Sequence, residues 1–565
     1  MNNAKRAHIF FLSVFVFLIF VSCASNPKKN FYVSYSSDRG ILHEVEKTRT
    51  VLDENPVEAL VRARALLDNT QGYDFIETLY TDASTRVLTR FNSSVSAGNW
   101  SEALLLFRSL SALDMPPSDW TGQAIIENRL QAWKNEGNKT LANLYELPES
   151  TPKDEAPSSS IVAQMIKGTV TVWVDKGLRI ENGVGYANRV IGSGFFIDNR
   201  GYLITNYHVI ASEVDPKYEG YSRLYIKNPD NTDFRIPARV IGWDPVLDLA
   251  LLKVEITPPV VFQLGTSEDL KIGNRIYAIG SPAGLEQTLT SGIVSAQKRR
   301  LLSLGDILQI DAPINHGNSG GPIIDEEGRV QAVVFAGIEP YEGLNFAIPV
   351  EFLRIILPAL YQGGPVSHPW FGVLGKTVSL PGSPNSVGVS VVYRVPGTPV
   401  EIAGIPTGAV ITAVNGIPVK SLEELQGIII REHPGTIIKV TGIPEITDSL
   451  EYQTRDWFVM LDKRPPVPGE LIFDRDIESR ALLPLFGMNI AQVGATKKYT
   501  IRSIVQGSTA DEAGFSEQDV IEIKNVDINR KEGFIAVQLY TKKRKSGYLE
   551  SFIGLMASLD SPSYF

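Results

Sequence analysis

The stretch that decides the fold is residues 311–322, which read Asp311-Ala312-Pro313-Ile314-Asn315-His316-Gly317-Asn318-Ser319-Gly320-Gly321-Pro322. Glycines on both sides of Ser319 let the backbone turn tightly and bring bare N–H groups beside its hydroxyl. The amides around Gly317 and Ser319 can then hold the negative charge that develops on an attacked carbonyl oxygen. Apolar runs at 323–324 and 330–334 predict buried strands that fix the turn on a rigid frame. Taken alone, the stretch also fits an ordinary glycine-rich hairpin turn.

Two upstream segments supply the partners that a serine nucleophile needs. A strand-like run ends in His208, and Asp248 leads into the apolar run 249–254. A histidine takes the serine proton and an acid fixes the tautomer of that histidine, so this chain order predicts a catalytic triad of His208, Asp248 and Ser319. Asp244 is a poorer candidate for the acid because it precedes a proline in a turn.

His316 is the histidine nearest to the nucleophile in the sequence, but it is not the predicted base. It lies three residues before Ser319 on a tight turn, so we expect its side chain to point away from the line of attack. The other histidines outside the triad lie in the N-terminal segment or in helical and turn contexts. No spacing of histidines or carboxylates predicts a metal site, and no cofactor is expected.

These motifs resemble the trypsin-fold serine proteases, and most closely the HtrA (Deg) family. The matching segments are Gly192-Ser193-Gly194-Phe195-Phe196-Ile197-Asp198, Thr205-Asn206-Tyr207-His208-Val209, Asp248-Leu249-Ala250-Leu251-Leu252, Gly317-Asn318-Ser319-Gly320-Gly321-Pro322 and Gly343-Leu344-Asn345-Phe346-Ala347-Ile348-Pro349. The resemblance implies an all-β double barrel with the active site in the cleft between the barrels. His208 and Asp248 would come from the first barrel and Ser319 from the second. His316 departs from the family, which usually has proline there.

The resemblance also implies an oxyanion hole and a specificity pocket. The oxyanion hole is expected at Gly317, Asn318 and Ser319. The pocket that receives the substrate side chain is expected at Pro313, Ile314, Val334, Phe335 and Ala336. Neither pocket segment carries a carboxylate at the matching base position. The sequence therefore predicts cleavage after small or medium apolar residues.

Two similar units follow the protease segment and resemble PDZ domains. In such domains a peptide C-terminus adds a strand to a sheet edge, and the amides of one loop hold its carboxylate. The expected carboxylate loops are Trp370, Phe371, Gly372 and Val373 in the first unit and Leu485, Phe486, Gly487 and Met488 in the second. The second match is weaker and its last stretch, 531–565, fits poorly, which indicates a degenerate, structural domain.

The N-terminus reads as a targeting segment. Lys5 and Arg6 precede an apolar run at 9–21, which is shorter than the ~20 residues that a spanning helix needs. The run ends near Cys23, the only cysteine of the sequence, so no internal disulfide can form. This pattern resembles a bacterial lipoprotein signal, which implies acylation of Cys23 and anchoring in a membrane. A cleaved secretory peptide and an uncleaved signal anchor are the alternatives.

Composition bounds the remaining possibilities. A length of 565 residues predicts several domains, and a hydrophobic content of 43% with a charged content of 21% is ordinary for a globular protein. The net charge of −9 argues against a nucleic-acid partner.

Residues 41–147 show apolar spacing near 3.6 with strong helix formers, as in tetratricopeptide-like helix pairs or a plain helical bundle. This helical domain is a candidate site for a protein partner.

The predicted fold is a multidomain chain with a small all-α domain, a trypsin-like double barrel and two PDZ-like α+β domains. The expected boundaries are 1–23 for the signal, 24–40 for a tether, 41–147 for the helical domain, 148–160 for a linker, 161–362 for the protease, 363–465 for the first PDZ-like domain and 480–565 for the second.

The expected function is that of a serine endopeptidase of the bacterial cell envelope. It would cleave misfolded or specific envelope proteins on the periplasmic side of a membrane, with PDZ units binding substrate C-termini. The family also implies a homotrimer or a higher homo-oligomer. The alternative is a lipid-anchored chaperone or scaffold whose protease domain is idle or tightly regulated.

Overall fold

The described part of the chain covers most of the predicted domains. The computed structural model describes residues 31–136, 162, 164–214, 223–228, 231–281, 288–299, 302, 305–337, 343–380, 383–446, 452–494, 498–543, 550–561 and 564–565. The predicted signal with Cys23 and the predicted linker at 148–160 lie outside these residues. No helix among the described residues combines the length and the apolarity needed to cross a bilayer.

The chain gathers into two compact units. One comprises residues 1–89, 370–422 and 437–565, and the other comprises residues 90–369 and 423–436. The two barrels therefore belong to one unit, and the sheets of both PDZ domains belong to the other.

The N-terminal region is helical, as its apolar spacing predicts. Its helices are α1 Asp38–Val51, α2 Pro56–Asn69, α3 Asp74–Ser96, α4 Trp100–Ala112 and α5 Gly122–Asn135. Polar residues cap four of the N-termini by accepting a backbone N–H, which satisfies a donor that the helix leaves unpaired. These caps are Ser37, Asn55, Asn99 and Thr121.

A first barrel follows the helical region. Its elements are β1 Thr169–Glu181, β2 Val184–Asp198, β3 Tyr202–Thr205, α6 Tyr207–Val214, β4 Arg223–Asn228, β5 Asn231–Asp244 and β6 Leu249–Val254. The strands run in the order β5-β4-β1-β2-β3-β6, and pairing of β5 with β6 closes them into a barrel. In the register of β3 and β6, Thr205 lies opposite Ala250. The segment after β3 and the segment before β6 are therefore neighbours.

A second barrel of six strands completes the predicted double barrel. Its elements are β7 Arg275–Gly280, β8 Thr288–Arg299, β9 Ile307–Ile310, β10 Pro322–Ile324, β11 Val330–Gly337, β12 Asn345–Pro349 and the closing helix α7 Val350–Gln362. The closed strand order is β10-β11-β12-β9-β8-β7. One apolar cluster includes Phe195 and Leu251 of the first barrel together with Ile279, Val333 and Ile348 of the second. The two barrels are thus packed against each other through a shared core.

The first PDZ domain is built on a mixed set of strands and short helices. Its elements, with the strands that precede it, are β13 Gly364–Pro365, β14 Pro369–Trp370, β15 Val373–Leu380, β16 Ser383–Arg394, α8 Pro399–Ile402, β17 Val410–Val414, β18 Ile417–Pro418, α9 Leu422–Ile429, β19 Ile437–Ile443, β20 Arg455–Met460 and β21 Asp462–Lys463. The main sheet has the order β15-β16-β17-β19-β20, which leaves β15 at an edge.

The second PDZ domain forms a five-stranded sheet in sequential order. Its elements are α10 Pro468–Arg475, α11 Glu478–Phe486, β22 Met488–Gln492, β23 Lys498–Ile504, α12 Thr509–Glu512, β24 Val520–Asn529, β25 Phe534–Lys542 and β26 Glu550–Ser558. The stretch at 531–565, which fits poorly by sequence, supplies β25 and β26 of this sheet. These strands pair from Phe534 opposite Ser558 to Lys542 opposite Glu550.

Candidate active site

Asp248 holds His208 from two directions. Its Oδ2 lies 2.7 Å from Nδ1 of the imidazole, and its Oδ1 accepts the backbone N–H of His208 at 2.8 Å. An ionised carboxylate can only accept hydrogen bonds, so Nδ1 carries the proton and Nε2 is left to take one from a nucleophile. Asp248 is buried, whereas the His208 side chain is 46% exposed. The Asp248 carboxylate is therefore shielded from solvent, and the His208 imidazole is accessible.

The backbone of Asp248 is fixed in an unusual conformation. Its φ of 53° lies in the left-handed region, which Asp and Asn tolerate better than most residues. Its carbonyl accepts the Asn206 side-chain amide at 2.8 Å and the Tyr207 N–H at 3.2 Å. Both main-chain and side-chain oxygens of Asp248 are thus bonded to the segment that carries His208.

The turn that carries Ser319 is hydrogen-bonded to the first barrel. The carbonyl of Ser319 accepts the N–H of Ser193 at 2.8 Å. Gly320 has a φ of 83°, and a Cβ at that position would overlap the carbonyl oxygen of Ser193 and the hydroxyl of Thr205. Only glycine allows so close an approach, which is why the glycines around Ser319 matter for more than flexibility.

The hydroxyl of Ser319 has a partner other than histidine. It donates to the carbonyl of Phe335 at 3.4 Å, a long hydrogen bond. Among the residues that the structure describes, no hydrogen bond joins the Ser319 hydroxyl to His208. The Ser319 hydroxyl is therefore directed at a backbone carbonyl and not at the His208 ring.

The amides expected to form the oxyanion hole differ in whether they already donate a hydrogen bond. The N–H of Asn318 donates to the carbonyl of Asn315 at 3.0 Å and is already occupied. Within the described part of the chain, the N–H groups of Gly317 and Ser319 make no hydrogen bond. The buried hydroxyl of Ser193 donates to the carbonyl of Gly317 at 2.6 Å and accepts the N–H of Ser281 at 2.9 Å. Ser193 thus fixes the Gly317 peptide, a role that the sequence did not reveal.

The residues expected to line the specificity pocket differ in how far they are buried. Pro313 is exposed, and Ile314 and Phe335 are partly buried. Val334 is fully buried in the core of the second barrel. Ala336 lies in β11, but its side chain falls outside the described residues.

His316, the histidine nearest to Ser319 in the sequence, is exposed.

The two expected carboxylate loops share one construction. The carbonyl of Gly372 accepts the N–H of Val395 at 3.0 Å, and that of Gly487 accepts the N–H of Val505 at 2.8 Å. Both glycines have positive φ, and a Cβ would overlap a hydroxyl side chain, Thr398 in the first loop and Ser508 in the second. The two loops thus have the same local backbone geometry.

The loops differ in what their amides bind. The N–H groups of Gly372 and Val373 converge on the main-chain oxygen of Phe565 at 2.9 and 3.0 Å, beside the buried Trp370 and Phe371. In the second loop the buried Leu485 and Phe486 end helix α11, and the N–H of Gly487 donates to the carbonyl of Leu483 at 2.9 Å. Met488 is buried and begins β22. The Gly487 amide is thus taken by its own helix.

The fold and these motifs define the class of the protein, a trypsin-like serine endopeptidase that carries PDZ domains. Residues 192–333 match the trypsin-like peptidase domain family. Residues 390–441 match the PDZ domain family, and residues 469–559 match the TP0546 family PDZ domain. Residues 40–132 match a domain of unknown function, DUF8517.

Several curated proteins are similar to part of this chain. A probable periplasmic serine endoprotease DegP-like from Rhizobium meliloti is 33% identical over 63% of this chain and 71% of its own length. The putative serine protease HhoA from Synechocystis is 37% identical over 42% of this chain and 63% of its own length. A solved structure titled HtrA-type protease AlgW with decapeptide is 25% identical, with a TM-score of 0.45, over 54% of this chain and 98% of that one. The chain belongs to the HtrA family of serine endoproteases.

Proposed function

We propose that His208, Asp248 and Ser319 are the catalytic triad of this endopeptidase. The observation that carries the proposal is the double contact of Asp248 with His208, at 2.7 Å to the ring and 2.8 Å to the backbone. Nε2 of His208 would take the proton of Ser319 as the hydroxyl attacks a peptide carbonyl. The resulting imidazolium, stabilised by Asp248, would then protonate the leaving amine. A water molecule would release the acyl group from Ser319 by the reverse exchange of protons.

The oxyanion hole is proposed to use two amides. Gly317 and Ser319 offer N–H groups that the described chain does not occupy, whereas Asn318 bonds to Asn315. Donors of this kind stabilise the tetrahedral intermediate more than the ground state, because they are aimed at the position of the developing charge. Ser193 supports this arrangement by holding the Gly317 carbonyl. The pocket beside Ile314 and Phe335 is proposed to accept small or medium apolar side chains.

The first PDZ domain is proposed to bind peptide C-termini at Trp370–Val373. Strand β15 follows this loop and lies at a sheet edge, where an extended peptide can add as a further strand. The N–H groups of Gly372 and Val373 point at one oxygen, as recognition of a terminal carboxylate requires. For the second PDZ domain the occupied amide of Gly487 favours a structural role.

The location and assembly of the protein are further proposals. Similar proteins are described as probable periplasmic serine endoproteases, which supports action in the cell envelope on misfolded or specific envelope proteins. Acylation of Cys23 would anchor the chain in a membrane, and a homotrimer or a higher homo-oligomer is expected. The helical domain would offer a surface to a protein partner. Replacing Cys23 by alanine should release the protein from membranes if the anchor is correct.

A fluorophosphonate probe tests the catalytic proposal. It should label the purified protein at Ser319, and Ser319→Ala should abolish labelling and lower kcat on a denatured protein substrate by about 10⁶-fold. The variant should keep its circular dichroism spectrum and its peptide binding. Turnover that survives in a clean preparation of Ser319→Ala would remove the triad from the mechanism.

The second candidate function is a lipid-anchored chaperone or scaffold with a regulated protease. The hydrogen bond from the Ser319 hydroxyl to Phe335 favours it, since a hydroxyl in that position is not bonded to its base. Slow probe labelling that accelerates when a denatured substrate is added would identify a regulated enzyme. Absence of labelling in every condition would identify an idle domain.

A further inference from the structure

Residues 564–565 occupy the carboxylate loop of the first PDZ domain. The main-chain oxygen of Phe565 accepts the N–H of Gly372 at 2.9 Å and that of Val373 at 3.0 Å. The N–H of Phe565 donates in return to the carbonyl of Val373 at 3.3 Å. Tyr564 lies opposite Leu374 in an antiparallel bridge. Residues 564–565 therefore extend the sheet at the free edge of β15, the geometry by which a PDZ domain takes a peptide.

The side chain of Phe565 fills an apolar site beside this edge. Its ring stacks on that of Phe371, with centroids 5.9 Å apart and an interplanar angle of 17°. A Cβ on Gly375 would lie 2.8 Å from the Phe565 ring, 3.0 Å from Val389 and 3.1 Å from Leu422. The ring thus lies between β15 and the start of helix α9, and Phe565 is only 2% exposed.

Tyr564 fixes the segment from the other side. Its hydroxyl donates to the carbonyl of Pro484 at 2.8 Å. Its ring is buried in an apolar cluster that contains Leu485 and Leu555 of the second PDZ domain and Leu374 of the first. Preceding residues are also held, since the N–H of Leu559 donates to the carbonyl of Gly533 at 2.9 Å. The final residues are thus positioned by one PDZ domain at the groove of the other, within a single compact unit.

We infer that Tyr564 and Phe565 are a built-in ligand that closes the peptide groove of the first PDZ domain. This inference rests on the proposed function of Trp370–Val373 as a site for peptide C-termini. A ligand held on the same chain competes at an effective concentration of about a millimolar, so a free peptide must displace it. The apparent affinity for that peptide falls by the fraction of time the groove is open. The first PDZ domain is therefore regulated by release of residues 564–565.

Peptide binding to the full chain tests this inference. The probe is a fluorescein-labelled peptide with the sequence of residues 559–565, followed by fluorescence anisotropy. Phe565→Asp places a charge against Phe371 and should expel the segment, tightening probe binding by about tenfold or more. Phe552→Ala removes an aromatic ring from an exposed position on β26 and serves as the control, with no change in binding. Equal affinity for the unaltered protein and Phe565→Asp would overturn the inference and leave the peptide site intact.

A disulfide trap provides a measurement that does not depend on the peptide. In a Cys23→Ser background, Leu374→Cys with Tyr564→Cys should cross-link on mild oxidation, because these positions face each other. Tyr540→Cys with Phe552→Cys, which are opposite each other in β25 and β26, is the matched control pair. The cross-linked monomer should lose probe binding and regain it on reduction.

The two experiments together separate the claim that residues 564–565 occupy the groove from the claim that the groove binds peptides. A monomeric cross-link in a protein whose Phe565→Asp variant binds no probe would support occupancy and reject the peptide-binding role. No cross-link between positions 374 and 564, while the control pair forms its disulfide, would reject occupancy. Cross-linked dimers on a non-reducing gel would reject an intramolecular ligand, because the segment would then come from a second copy.

Discussion

Nε2 of His368 lies 2.7 Å from Oδ2 of Asp244, and both side chains are buried. The other carboxylate oxygen of Asp244 accepts the N–H groups of Val246 and Leu247 at 2.9 and 3.1 Å. These residues form the turn that ends at Asp248. His368 follows strand β13, which pairs in parallel with β5. The segment that leaves the protease therefore braces the turn that presents the proposed catalytic acid.

His368→Ala should destabilise the protease and reduce its activity. The substitution leaves a buried carboxylate one partner short, at a cost of about 1–3 kcal/mol. The midpoint of thermal inactivation, read as residual turnover after heating, should fall by several degrees. His43→Ala, at an exposed position on α1, is the comparison and should leave that midpoint unchanged. Identical inactivation curves for His368→Ala and the unaltered protein would show that the pair does not brace the turn.

Asp248→Asn should inactivate the enzyme without changing its shape. Asparagine tolerates the left-handed φ of 53° at this position, so the turn is preserved. The amide can donate as well as accept, which allows the wrong imidazole tautomer, and kcat should fall by about 10⁴-fold. Steady-state kinetics should show the loss, and Asp269→Asn, which removes an exposed carboxylate, should not. A fall of less than tenfold would argue for a different acid.

Ser193→Ala should lower kcat more than it raises KM. Removal of the hydroxyl frees the Gly317 carbonyl and the Ser281 N–H, both of which it bonds in a buried setting. If the Gly317 peptide becomes mobile, the neighbouring amide is positioned less well for the oxyanion. We therefore expect kcat to fall by about tenfold or more. Ser291→Ala, on the exposed face of β8, is the matched control. A change confined to KM would place Ser193 in substrate binding instead.

Glu401 should make the stability of its unit depend on pH. Burial raises the pKa of this carboxyl above its ordinary value of 4.5, although it accepts the N–H groups of Gly397 and Val33. The folded state therefore binds the proton more tightly than the unfolded state. Its contribution to stability is present below pH 4.5 and is lost as pH rises through the folded pKa.

Urea unfolding of Glu401→Gln at several pH values measures this effect. The difference in unfolding free energy between the variant and the unaltered chain should grow in favour of the variant as pH rises above 4.5. Glu445→Gln, at an exposed position in the same unit, should give a difference that does not change with pH. If the difference shifts in favour of the unaltered chain as pH rises, the hydrogen bonds to Glu401 lower its pKa by more than burial raises it.

Much of the fold could be predicted because its signals are local. The alternating apolar residues of β1, the apolar run of β6, the 3.6-residue spacing in α2 and α4, and the glycines around Ser319 each specify structure within a few residues. The double barrel and the two PDZ domains were predicted from the resemblance of their motifs to the HtrA family and to PDZ domains. The weak sequence match at 531–565 concealed β25 and β26, whose pairing depends on tertiary contacts.

The parts of the sites that the sequence did not reveal depend on distant residues. His368 and Asp244 are 124 residues apart, and nothing in either local pattern predicts their contact. The place of Phe565 is set by a sheet edge nearly two hundred residues earlier. The partner of the Ser319 hydroxyl depends on a rotation about one bond, which residue types cannot specify.

The docking of Phe565 between Gly372 and Phe371 has a practical consequence for the design of recombinant forms of this enzyme. An affinity tag fused directly after Phe565 would begin against the two amides that donate to its main-chain oxygen. Such a fusion would change how residues 564–565 close the groove. Peptide binding measured on the tagged protein would therefore differ from that of the untagged protein. Tags for this enzyme belong within an exposed loop.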